Sequence, residues 1–150
     1  MRNDGMIYLE RIVTNAVAFS VEDTAESWEM IDKELLPQIL AYKYHNTIAE
    51  KAIEMYQQTQ GPVRDLAGTL TAEIRIGELE AKMLAELKSY TLKGINDKHK
   101  YARFRATVAT IKHNWYEQKH VNKMKETLSE IIEEGGDIGK LAKKYLSKLA

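Results

Sequence analysis

His113, Glu117 and His120 stand at i, i+4 and i+7, a spacing that on one continuous helix gathers two imidazoles and a carboxylate on a single face. Nitrogen and oxygen donors in that arrangement suit a divalent cation. Glu117 and His120 also read Glu-x-x-His, one fragment of the carboxylate di-iron bundles. Such a centre needs a second copy of the motif, but Tyr42, Asn96 and Thr110 stand three before the other histidines. Lys112 and Lys119 flank the three side chains and repel a cation. The group therefore reads as a wet helix face, and no metal or cofactor is expected. Phosphate-loop, dinucleotide and nucleophile-elbow signatures are all missing. No catalytic residue emerges, and the chain reads as a non-enzyme with no small-molecule substrate.

Charge carries the strongest functional signal. Lys+Arg and Asp+Glu both number 22, so the net charge is zero. The zero conceals segregation. Residues 1–35 hold three basic and eight acidic groups, whereas residues 93–125 hold nine basic groups against Asp97 and Glu117. Lys98, Arg105, Lys112 and Lys119 recur every seven residues. On a helix these drift by only about 20° per step, giving a stripe about 31 Å long. A linear array of cations matches a phosphate backbone, because each contacted phosphate releases condensed counterions. The first expectation is thus a sequence-tolerant contact with DNA or RNA backbone inside a larger nucleoprotein assembly. Lys98, Lys100, Arg103, Arg105, Lys112, Lys119 and Lys123 would supply it, with Tyr116 available for stacking. The lysines of the last segment would add a clamp.

Two other uses compete for the same charges. Glu73 and Glu80, also seven apart, are placed to neutralise the stripe from a neighbouring helix. The acidic segment that contains Glu22, Asp23, Glu26 and Glu29 offers a protein-binding face. That face would serve an adaptor or inhibitor, or meet the basic helix of another copy head to tail.

The elements that must position these groups are helical. Strand and hairpin signals are scarce, and breakers divide the periodic sequence into about five or six segments. The spacing predicts helices over 6–19, 21–35 with Ser20 as its cap, a third starting at Pro37, a fourth from Gly61–Pro62 to about Leu92, one long bent helix over about 97–134, and a basic amphipathic segment over 137–150. Trp28 falls on the apolar face of the second helix and reads as core. Within the long helix, Tyr101, Phe104, Val108, Ile111 and Trp115 form one apolar seam. Val121, Met124, Leu128 and Ile131 form another, and the phase slips between them. A bend or a change of packing partner is expected at the slip. Gly68 and Gly77 inside the fourth helix mark either looseness or close approach by another backbone. Glu130, Glu133 and Glu134 oppose the helix dipole and suggest a frayed end.

At 150 residues the chain fits one elongated all-α bundle, with residues 137–150 semi-independent. No apolar run is long enough to span a bilayer, so no membrane is expected. The absence of cysteine excludes disulfides and thiolate zinc sites and points to a reducing, cytoplasmic setting.

Overall fold

The computed structural model describes residues 4–149, and every element among them is helical, with no strand. The all-α class holds, but the helices are shorter and more numerous than five or six. Three of the expected segments break or merge for identifiable reasons.

Helix α1 (Asp4–Glu22) buries Leu9, Val13, Ala16 and Ser20 at helical spacing. Ser20 caps nothing: its hydroxyl donates back to the Val17 carbonyl at 2.7 Å within α1. The turn comes at Asp23, which takes a left-handed backbone (φ 50°). Thr24 caps α2 (Ala25–Met30) instead, its hydroxyl accepting from the Ser27 N–H at 3.0 Å. The Ser27 hydroxyl returns the favour to the Thr24 N–H at 2.9 Å. This reciprocal box satisfies two amides that α2 leaves unbonded.

Pro37 does not stop the chain's helical course. A π-turn (Ile31–Leu35) carries α2 directly into α3 (Leu36–Ala41), with the Leu36 N–H bonded to the Ile31 carbonyl five residues back. The widened turn accommodates a ring that would clash with a normal α-helical carbonyl. The real break follows at Lys43, again left-handed (φ 57°), before α4 (His45–Tyr56).

The fourth segment splits at Gly77. Helix α5 (Gly61–Glu73) ends where Ile74 becomes extended, a 3-10 turn (Ile76–Glu78) follows, and α6 (Ala81–Gly94) resumes. Gly68 has the other role. A Cβ there would lie 2.8 Å from the backbone of Arg105, so the glycine admits α7 (Lys100–Lys112) against α5. These two helices form the most extensive helix pairing in the molecule.

The long helix is two helices. Asn114 adopts a left-handed conformation (φ 58°), and the Trp115 N–H reaches the Thr110 carbonyl at 2.9 Å. This six-to-one bond is the signature of a Schellman end. Helix α8 (Gln118–Glu134) then starts afresh. The apolar partners change at the same point: Trp115 belongs to a core with α1, α4 and α5, whereas Val121, Met124, Leu128 and Ile131 join a second core with Phe104 and Val108. Gly135 and Gly136 (φ 73° and 67°) turn the chain into α9 (Gly136–Ser147). Ala142 and Tyr145 of α9 are buried in the second core. Helices α1–α3 and the α8–α9 hairpin thus flank the α5–α7 pair.

Candidate functional site

The break at Asn114 dissolves the seven-residue stripe. Arg105 and Lys112 lie on α7, Lys119 lies on α8, and Lys98 precedes both. Most of the remaining cations face carboxylates of the same chain. Arg103 uses all three nitrogens: Nη2 to Glu130 Oε2 at 3.1 Å, Nε to Thr127 Oγ1 at 3.1 Å, and Nη1 to the Asp97 carbonyl at 2.9 Å. Lys100 pairs with Glu134 at 2.6 Å, and the Tyr101 hydroxyl donates to the same carboxylate. The hydrogen bonds from Lys100 and Tyr101 hold Glu134 below the ordinary carboxylate range. Lys112 reaches Glu73 at 3.3 Å, and Arg105 stands 3.7 Å from Asp65, within ion-pair range but beyond a hydrogen bond. Glu73 therefore faces one member of the stripe, Lys112, whereas Glu80 sits at the N-cap position of α6 without a side-chain capping bond.

Tyr116 packs against the second core and is half-buried, so it is not a free stacking platform. Of the basic residues singled out from the sequence, Lys98, Lys112 and Lys119 are exposed, Lys112 against Glu73. Lys119 makes only an exposed contact of 3.5 Å with Glu117, and Lys123 a marginal one of 4.0 Å with Glu126. The acidic end of α8 is not a frayed terminus. Its glutamates meet the basic start of α7, because the two helices run antiparallel.

His113, Glu117 and His120 are separated by the same break. His113 caps α7, and its Nε2 lies 2.7 Å from the Thr71 carbonyl. Burial pushes its pKa down, with the Thr71 hydrogen bond opposing. Glu117 and His120 form the capping box of α8, the Glu117 N–H donating to His120 Nδ1 at 2.9 Å. Among the described residues, no three metal-ligating side chains converge.

The acidic segment behaves differently. Glu22, Asp23, Glu26, Glu29, Asp32 and Glu34 are all exposed. Glu29 pairs with Lys33 at 2.8 Å, and Asp23 accepts the Trp28 indole N–H at 2.8 Å. Among the described residues, Glu22, Glu26, Asp32 and Glu34 have no ion-pair partner. Val21 and Met30 are exposed beside them, at 44% and 40%.

No family model, curated protein or solved structure matches the chain.

The acidic corner borders a cleft of about 980 Å³. Its floor is Asp65 and Thr69 of α5 with Tyr101 and Arg105 of α7. One wall carries Trp28 and Asp32, and the other Ile138 and Leu141 of α9. Trp28 packs against the edge of the first core, as its apolar face predicts, and is half-buried at the cleft with its indole N–H on Asp23. Asp65 was missed by sequence reading. Its one available signal is a carboxylate set between Val63 and the largely apolar stretch Leu66–Leu70, a placement that calls for a partner once buried.

Proposed function

We propose that this chain is a non-catalytic helical adaptor that binds a basic protein partner through the acidic corner where α1 meets α2. Glu22, Asp23, Glu26 and Glu29 form its charged rim, and Val21 and Met30 supply apolar contact. One observation carries the reading. The four cations of α7 all face carboxylates of their own chain, whereas Glu22 and Glu26 of the acidic corner stand exposed without an ion-pair partner. Unpaired rim charges accelerate association and select partners of opposite sign.

The test is affinity capture with two baits, the wild-type chain and Glu22→Lys/Glu26→Lys, followed by identification of bound proteins. The expected result is a basic partner held by the first bait and lost from the second. Identical partners on both baits would remove the corner from consideration.

A second reading has its own observation. Lys119, Lys123 and Lys125 open α8, and Lys140, Lys143, Lys144 and Lys148 line α9. Among the described residues, Lys125 and these four α9 lysines have no carboxylate partner. In the α8–α9 hairpin these stretches are the cations best placed to meet a nucleic-acid backbone. Titration of a labelled oligonucleotide over a salt series tests this, with Lys140→Glu/Lys144→Glu as the decisive variant.

A further inference from the structure

The cleft beside the acidic corner holds more negative charge than its own cations balance. Asp32 has no ion-pair partner, and Asp65, buried at the floor, has only the Arg105 guanidinium at 3.7 Å. Asp23 gives one oxygen to the Trp28 indole. Lys33 lines the same cleft but is tied to Glu29, and Glu73 is already held by Lys112. One guanidinium therefore faces Asp65 and reaches Asp32 only through its longer-range field. Asp137 of α9 adds a further carboxylate to the lining, and Trp28, Leu36, Tyr101, Ile138 and Leu141 supply its apolar and aromatic surface. Aromatic faces attract a cation as well as an aliphatic stem. At about 980 Å³ the space sits at the upper end of small-molecule sites and accommodates side chains together with their backbone.

We infer that this cleft receives an amphipathic segment of a protein partner, with an arginine or lysine seated toward Asp32 and Asp65 and apolar side chains against Trp28, Tyr101, Ile138 and Leu141. The inference rests on the adaptor reading and names both its anchoring point and the partner's chemistry.

Proton linkage follows from the same geometry. Burial pushes the Asp65 carboxyl up to about 7, with Arg105 opposing and the Asp23 and Asp32 charges adding to the rise. Asp32 is raised as well, by burial, again against Arg105. The Thr69 hydroxyl completes the surroundings of Asp65. An incoming cation favours ionised Asp65, so docking expels a proton and tightens as pH rises through neutrality.

The experiment measures binding of a short fluorescein-labelled peptide of arginine and leucine by anisotropy at low salt. A citrulline-for-arginine peptide is the neutral control. The arginine peptide should bind saturably and at least about tenfold tighter than the control. Its affinity should rise about tenfold between about pH 6 and about pH 8, following ionisation of a group with a midpoint near 7. Asp65→Asn should remove that dependence. Asp32→Asn, at an exposed position that does not endanger folding, should weaken binding about tenfold. Equal affinity for the two peptides, or wild-type affinity in Asp32→Asn, would overturn the cleft assignment. The corner variant Glu22→Lys/Glu26→Lys lies outside the cleft lining. Loss of binding there with none in Asp32→Asn sinks the cleft and leaves the adaptor standing; loss in neither sinks both.

Discussion

Arg64 grips Asp97 with two parallel hydrogen bonds, Nε to Oδ2 at 2.6 Å and Nη2 to Oδ1 at 2.9 Å. Its remaining Nη1 donates to the Gln58 carbonyl at 2.7 Å, and Asp97 Oδ1 also accepts the His99 N–H at 2.9 Å. One pair thus ties the start of α5 to the loop that launches α7. Burial alone would raise Asp97, but the Arg64 and His99 hydrogen bonds outweigh it and hold the carboxyl below its usual range. A depressed carboxyl contributes stability that is full above its unfolded value and fades as pH falls through the folded one. Urea unfolding should therefore show a loss below about pH 4 that Asp97→Ala lacks. At neutral pH that variant should be less stable by about 3 kcal/mol, since it strands a partly buried guanidinium. Parallel pH profiles for the two proteins would contradict this.

Gly68 and Gly77 should respond in opposite directions. Alanine at 68 drives a methyl into the α7 backbone at Arg105 and Ala106 and should cost about 2 kcal/mol or more. Alanine at 77 meets nothing within 4 Å and needs no left-handed backbone. It should leave stability unchanged or raise it by about 0.5 kcal/mol through the unfolded chain. Thermal denaturation of the two variants side by side is sufficient.

Arg105→Gln should harm folding rather than nucleic-acid affinity. It abandons Asp65 at the α5–α7 contact, a loss of about 3 kcal/mol when one partner of a buried pair is removed. Oligonucleotide affinity should stay at the wild-type level while Lys140→Glu/Lys144→Glu lowers it. The reverse pattern would restore the basic stripe as an external surface.

His113 adds a second, milder acid sensitivity. Its neutral form is favoured by burial, so its folded pKa lies below the unfolded one. Stability from this group is complete above the unfolded value of about 6.5 and declines as pH drops through the folded value. His113→Gln should flatten the stability profile in that interval. A slope unchanged by the substitution would assign the effect elsewhere.

The helical class was legible because apolar residues repeat at helical spacing and strand signals are few. The slip between Trp115 and Val121 marked the right place, since the two residues serve different cores. It did not reveal a full break, because Asn114 in the left-handed region leaves no periodic trace. Pro37 misled for the opposite reason: a local rule against continuing a helix was overridden by a wider turn. At the charges, spacing identified Glu73 as a neutralising partner for the stripe but not Asp65, Glu130 or Glu134. Those pairings depend on which helices run antiparallel, and sequence periodicity is blind to that.

The π-turn at Ile31–Leu35 sets an azimuth. One additional residue in a helical course rotates everything upstream by about 100° relative to everything downstream. Glu26 and Glu29 lie exposed upstream of that offset, while Ile39 downstream is buried. Excising Lys33 would rewind the coil, bring the pyrrolidine of Pro37 against a carbonyl, and turn the anionic rim to a different bearing.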